Sequence, residues 1–286
     1  MKVIGAIRSL EEFNDIVEQI RWRRAPLSLG GYPYRHEFYR GQADAGWSVI
    51  PGIGRRIGSV DTLRAADAAV SAHFRRRMTE MGLKRRVHLW EHPRGFQDDW
   101  SWYIQAQHYR VPTRLLDWTG KPEVALFFAV EEARYDGVDG AFYVYHNPQS
   151  AIKIEGGDGP EFFEERPSEM AGTWFLNPAF DAHADNDEVI AEGRRLRQFG
   201  KFTLQDYTLC LRGLDKQANL LRSYEETVDL DVPVMEKWLI PAEFKPQLRL
   251  DMVAAGWYGE YLYLGEDPLV NEIQTECAAL LAGFEN

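Results

Sequence analysis

Cysteine is nearly missing from this chain: 286 residues hold only Cys210 and Cys277. Two such residues make no disulfide framework, and no Cys-x-x-Cys pair exists for zinc or redox work, so a reducing cytoplasm is the expected setting. Long apolar runs are missing too. Nothing approaches the roughly 18 residues that a membrane helix needs, and the stretch from Met1 to Phe13 has no apolar leader core. Basic charge is in deficit, with 33 Lys and Arg against 44 Asp and Glu, a net charge of −11 and a pI near 5.2. That argues against bulk binding to nucleic acid, which needs a basic field, while leaving room for a local basic patch. No internal repeat, low-complexity tract or clear linker divides the chain. The expectation is one domain over 1–286.

What is present is apolar and aromatic sequence, at 45% and 13% of residues, enough for a core and for the walls of a pocket. Ser9-Leu10-Glu11-Glu12 reads as a capping box opening a helix that runs to about Arg24 before Pro26. The stretch His36–Arg40 reads as a strand, followed by a glycine-rich loop to Gly58. Asp61 is the expected cap of a second helix with Leu63, Ala66, Val70 and Phe74 inward. Its basic tail, Arg75-Arg76-Arg77 and Lys84-Arg85-Arg86, reads as a solvated face, with contact to an anionic partner as the alternative.

A third helix is predicted from Asp98 or Asp99 to about Tyr109, ended by Pro112. Thr113–Asp117 reads as a short strand. Pro122 opens a helix whose Val124–Val130 stretch is apolar all round, the mark of a buried element. Gly140–His146 is a strand. Residues 147–190 read as a partly irregular insertion, with Glu188–Leu196 helical. Lys201–Leu211 and Asp231–Ile240 read as strands, the second an edge candidate. Pro246 and Asp267-Pro268 open two last helices. The pattern is α+β: mostly antiparallel strands, in one sheet or a split pair, flanked by helices.

Three familiar site patterns fit poorly. His88-Leu89-Trp90-Glu91-His92 matches His-x-x-Glu-His, but Pro93 disfavours a helical His92 and no third ligand is evident, so no metal is expected. Gly52-Ile53-Gly54-Arg55-Arg56 lacks the third glycine and the strand–turn–helix setting of a dinucleotide turn. Ser101, His108 and Asp117 have no spacing that makes them a hydrolase triad.

Two stretches stand out instead, each putting charge inside β-prone apolar sequence: His36–Gln42 and Gln107–Val130. Arg40 follows Phe38 and Tyr39; Thr113, Arg114 and Asp117 frame Leu115 and Leu116. A guanidinium is costly to bury unless it is paired or meets an anion. One reading is structural, with Asp117 pairing Arg40 or Arg114 and capping the next helix. The other is a crevice that both segments face, holding a phosphorylated or dinucleotide ligand.

These stretches resemble the FRG domain family of bacteria and phages, named for a Phe-Arg-Gly motif that stands here as Tyr39-Arg40-Gly41, followed by Gln42. The Gln-His-Tyr at Gln107, the Pro-Thr-Arg-Leu-Leu-Asp-Trp-Thr from Pro112 to Thr119, and the apolar helix after it carry the rest. Arg197-Gln198, Gly200, Phe202-Thr203 and the Ile240-Pro241…Lys245 segment are also similar, so the resemblance extends over about residues 30–285.

Order and spacing are further similar to R-S-E type ADP-ribosyltransferases, which implies an ADP-ribosyltransferase-like core and NAD as ligand. That resemblance makes Arg40 the NAD arginine, with Tyr39, Gly41, Gln42, Thr113 and Phe202 binding the cofactor. His108, Arg114, Asp117 and Gln198 then serve the chemistry. Gly200 stands where the second acidic residue belongs, leaving Asp117, Glu188 or Glu192 to substitute. The implied role is a toxin or antiphage effector acting on a protein or nucleic-acid target. The alternative is a non-catalytic module that recognises a nucleotide, a nucleic-acid end or a protein.

Overall fold

The computed structural model describes residues 3–22, 37–83, 97–146, 154–155, 166–169, 173–176, 200–217, 235–259 and 268–285. Its strands are β1 (Val3–Ala6), β2 (Glu37–Gln42), β3 (Leu115–Thr119), β4 (Gly140–His146), β5 (Ile154–Glu155), β6 (Thr173–Leu176), β7 (Gly200–Gln205) and β8 (Met235–Ile240). They form one mixed sheet in the order β1-β8-β4-β2-β3-β7-β6-β5. Two pairings are parallel, β1 with β8 and β5 with β6; the others are antiparallel. The α+β class is as the sequence pattern predicts.

The described helices are α1 (Leu10–Trp22), α2 (Val60–Glu80), α3 (Gln97–His108), α4 (Pro122–Val130), α5 (Tyr207–Arg212), α6 (Leu214–Gln217), α7 (Lys245–Ala254) and α8 (Pro268–Ala282). Helix α1 opens with the predicted box, shifted by one residue. The Glu12 amide donates to Ser9 Oγ at 3.1 Å, while the Glu12 carboxylate reaches back to the amide of Arg8 at 2.8 Å. Helix α2 is capped by Ser59 and not Asp61, because the Ser59 hydroxyl accepts from the amide of Thr62.

Helix α4 behaves as its composition demands: every residue but Glu123 and Phe128 is buried. With α1 and α7 it covers the sheet face that carries Tyr39, Phe142 and Val144. Helices α2, α3, α5 and α8 gather a second cluster around Phe74, Tyr109 and Ile273.

Several expectations need correction. Strand β3 starts at Leu115, so Thr113 and Arg114 precede it. The predicted strand to Leu211 stops at Gln205, where Asp206 accepts from the amide of Leu209 and starts α5. Strand β8 is interior, because β1, which no alternation predicts, pairs outside it. Strand β2 runs on through Gly41 and Gln42, so Arg40 lies within a strand and not at its end. The Glu188–Leu196 helix and the His88–His92 pattern lie outside the described residues.

One feature of the sheet positions the site. Strand β2 pairs with β4 along its whole length, from Glu37 opposite His146 to Gln42 opposite Ala141. It pairs with β3 only through Tyr39 and Thr119. Strand β3 is itself fully paired on its other side, to β7. The sheet therefore holds between β2 and β3 at one point and is unladdered beyond it.

Candidate functional site

Arg40 sits where that ladder stops. One terminal guanidinium nitrogen donates to the carbonyl of Asp117 at 2.6 Å, a carbonyl that a continued ladder would otherwise use. Its Nε is buried with no hydrogen-bond partner among the described residues. Burial pushes its pKa down to about 10; Asp117 opposes the drop and Arg55 adds to it. A half-buried cation with a covered, idle donor is the reverse of what a purely structural arginine shows.

The open space beside it is a cleft of about 690 Å³. Tyr39, Arg40, Gly41 and Gln42 line it from β2, Leu115 to Thr119 from β3, and Ala125 and Phe128 from α4. Phe202 of β7 and His108 at the end of α3 also reach it. Gly41 is what lets α4 floor the cleft: a β-carbon there would stand 1.8 Å from the Ala125 carbonyl oxygen and 2.7 Å from the Ala129 amide. The glycine of the Tyr-Arg-Gly motif thus serves a backbone-to-backbone approach, and the arginine beside it serves the cleft.

Asp117 is an exposed carboxylate of the site. Its Oδ2 accepts from the Gln107 side-chain amide at 2.7 Å. The Gln107 oxygen accepts in turn from the Thr113 hydroxyl at 2.6 Å, and that hydroxyl also accepts from the amide of Leu115 at 3.1 Å. Thr113 therefore stands one layer behind the cleft and acts through Gln107. Gln42 lines the cleft and, like Arg40, has a buried atom without a partner among the described residues, its Oε1.

Arg114 is not part of this site. It is wholly buried, with Nε on Asp67 at 3.0 Å and its terminal nitrogens on the carbonyls of Gln205 and Pro167. Its guanidinium lies 4.1 Å from the centre of the Tyr207 ring. Tyr103 and Tyr207 both donate to the same Asp67 carboxylate, at 2.8 and 3.0 Å. Burial works against the charge of Arg114, but Tyr103 and Asp67 outweigh it and the pKa is raised. This network ties the start of β3 to α2, α3 and α5; Arg114 does not line the cleft, and each of its guanidinium nitrogens is hydrogen-bonded inside the fold.

Of the remaining site expectations, Gln198 lies outside the described residues. Ser101 is buried, its hydroxyl without a partner among the described residues, and does not line the cleft, so Ser101, His108 and Asp117 are not assembled as a triad there. The Gly52–Arg55 stretch is a short 3-10 turn and not a phosphate loop.

Several cleft residues were not among the site residues expected from the sequence. Gln107 had a visible signal, as part of the Gln-His-Tyr motif. Trp47 sits in a loop that carries no pattern of its own, and Arg55 in the Gly52–Arg55 turn, whose only signal is the ill-fitting dinucleotide pattern. Arg110 follows α3 with φ +59°, a left-handed backbone that favours glycine and costs an arginine roughly 1 kcal/mol. It lines the cleft and is exposed. Arg56, also on the lining, is paired with Glu285 at 3.3 Å.

Comparison with known proteins bears on the segment that builds this cleft. The FRG domain model matches residues 35–137, from just before β2 to just past α4. No curated protein and no solved structure matches the chain.

Proposed function

We propose that this chain, which carries an FRG domain over residues 35–137, binds a nucleotide in the Arg40 cleft, with NAD the first ligand to test. One observation carries the reading: a half-buried guanidinium, whose Nε–H is covered and unmatched among the described residues, forms part of a cleft wall. An unmet buried donor costs roughly 1–3 kcal/mol, and more when charged. An anionic oxygen would recover that cost through a charge-assisted hydrogen bond.

The surroundings support the same ligand class. Arg55 and Arg110 add positive charge, Phe128 and Phe202 add apolar wall, and the volume falls in the usual range of about 300–1,000 Å³ for small-molecule sites. Asp117 supplies an acceptor of the kind that holds ribose hydroxyls in nucleotide sites. With NAD bound, its second oxygen is the carboxylate at hand to hydrogen-bond the ribose as positive charge develops. That is the route to ADP-ribosyltransferase-like activity, in the toxin or antiphage setting that the family resemblance implies.

A second reading, recognition without catalysis, is favoured by the state of the other cleft carboxylates. Glu132 is paired with Arg134 and Glu285 with Arg56. Neither replaces the acidic residue that Gly200 displaces.

Thermal shift with NAD and ADP-ribose, alongside an assay of NAD consumption, separates these outcomes. Wild-type protein is stabilised and Arg40→Gln, folded, is not. Loss of NAD turnover in Asp117→Asn marks the enzyme; stabilisation without any product marks the recognition module. If no nucleotide stabilises the wild type, the reading is wrong. Expression in cells gives a parallel readout, with Arg40→Gln relieving any toxicity.

A further inference from the structure

Trp47 is an exposed tryptophan on a loop that is anything but loose. It lines the same cleft as Arg40 and keeps 42% of its surface open. A partly exposed indole in a cleft wall leaves apolar surface that a ligand ring can bury.

The presentation is rigid. Asp44 forms a tight turn, accepting from the amide of Gly46 through Oδ1 at 2.7 Å and from the amide of Trp47 through its carbonyl at 3.2 Å. Lysines hold the backbone on the N-terminal side of Trp47. Lys237 donates to the carbonyl of Ala45 at 2.6 Å, and the fully buried Lys245 donates to the carbonyl of Ala43 at 2.8 Å.

The Lys245 ammonium does a second thing. It also donates to the carbonyl of Tyr135 at 2.5 Å. Tyr135 is the residue whose ring meets Trp47 edge to face, with centroids 5.1 Å apart at 86°. One buried charge therefore fixes both backbones that carry this aromatic pair. The arrangement sets the indole plane before any ligand arrives, which lowers the ordering cost of stacking on it.

We infer that Trp47 is the stacking platform for the planar heteroaromatic ring of the ligand, with Lys245 and Tyr135 as its positioning residues. The inference rests on the nucleotide reading and adds to it where the base is recognised. The division of labour is chemical: Arg40 and its neighbours take the anionic, sugar-bearing part, and Trp47 takes the flat ring. Stacking of this kind tolerates different bases, because every base has a π-face.

The test compares two probes on the full chain by calorimetry: ADP-ribose, which has a base, and ribose 5-phosphate, which has none. Trp47→Ala is expected to weaken ADP-ribose by roughly tenfold, in line with the loss of one base–aromatic stack. Trp47→Phe is expected to retain most of the affinity. Ribose 5-phosphate is expected to bind all three proteins alike.

Equal weakening of both probes by Trp47→Ala would mean that the loop and not the ring was lost, and would overturn the inference; so would no weakening of either. Wild-type protein that binds neither probe overturns the nucleotide reading itself, and this inference with it. Trp47 is surface-exposed, so the variants are expected to fold; a melting temperature within a few degrees of wild type checks that.

Discussion

Gly41 and Ala125 meet backbone to backbone: the space that a β-carbon on Gly41 would need is already held by the Ala125 carbonyl, 1.8 Å from where that carbon would stand. The obstacle is main chain, which cannot rotate aside as a side chain can. Gly41→Ala must therefore push α4 off the sheet and unpack a helix with most of its side chains buried. We expect a loss of about 3 kcal/mol or more, at the upper end for single substitutions. Urea unfolding of the variant checks this; a loss under about 1 kcal/mol would show that α4 shifts easily.

Arg114 and Asp67 make a prediction of the opposite kind, about stability without binding. Removing one member of a buried pair strands the other, at a cost of roughly 3–5 kcal/mol. Asp67→Ala is expected to approach that figure, and to leave the Tyr103 and Tyr207 hydroxyls without their acceptor. Asp67→Leu combined with Arg114→Met is expected to recover part of the loss. Ligand affinity of whatever fraction folds should be unchanged, since neither side chain lines the cleft.

Arg40 predicts a pH dependence. Its folded pKa is about 10, below the ~12.5 of a free arginine. The unfolded chain therefore holds this proton more tightly, and the penalty for a buried charge is fully present below about pH 10. It fades as pH rises from about 10 toward ~12.5. Anion affinity runs the other way, because only the charged form attracts the ligand: it should hold steady to pH 9 and fall as pH rises through about 10. Titration of ADP-ribose binding between pH 8 and 11 measures this. A flat profile would place the idle guanidinium outside the binding event.

Thr113 holds Gln107, and Gln107 holds Asp117. Thr113→Val keeps the shape but removes the hydroxyl, leaving the amide of Leu115 and the Gln107 oxygen without that partner. The expected stability cost is about 1–3 kcal/mol. If the relay sets the carboxylate, ADP-ribose affinity falls as well, while Thr113→Ser restores both. Parallel thermal melts and calorimetry separate the two effects.

The two thiols are expected to be silent in the folded protein. Both are buried, and Cys277 is pushed up to about 11 by burial and by Glu276; burial raises Cys210 as well. The thiolate is the reactive form, so alkylation by iodoacetamide at pH 8 should be negligible in native protein and complete in urea. Mass spectrometry of the two reactions decides it.

Elements set by local patterns are legible in the residues alone. The apolar run after Pro122 can only be a buried helix, and Gly140–His146 is found with the predicted bounds. Ser9 and Glu12 close the start of α1 within one turn of chain. Local signals also misled: Asp61 looked like a cap with Ser59 two residues away, and β1 is four residues with no alternation to betray it.

The sequence by itself determined that two arginines, Arg40 and Arg114, stand in apolar strand-like settings that demand an explanation, because a guanidinium is not buried without one. It also determined the α+β class and the glycine beside Arg40. Only the tertiary structure decided which arginine is spent and which is spare. Arg114 meets Asp67, 47 residues away, with every guanidinium nitrogen bonded; Arg40 meets a carbonyl 77 residues away and keeps an N–H without a partner among the described residues. The physical reason is that the free energy of a buried charge depends on what the fold brings to it across such separations. No window of neighbouring residues contains that information.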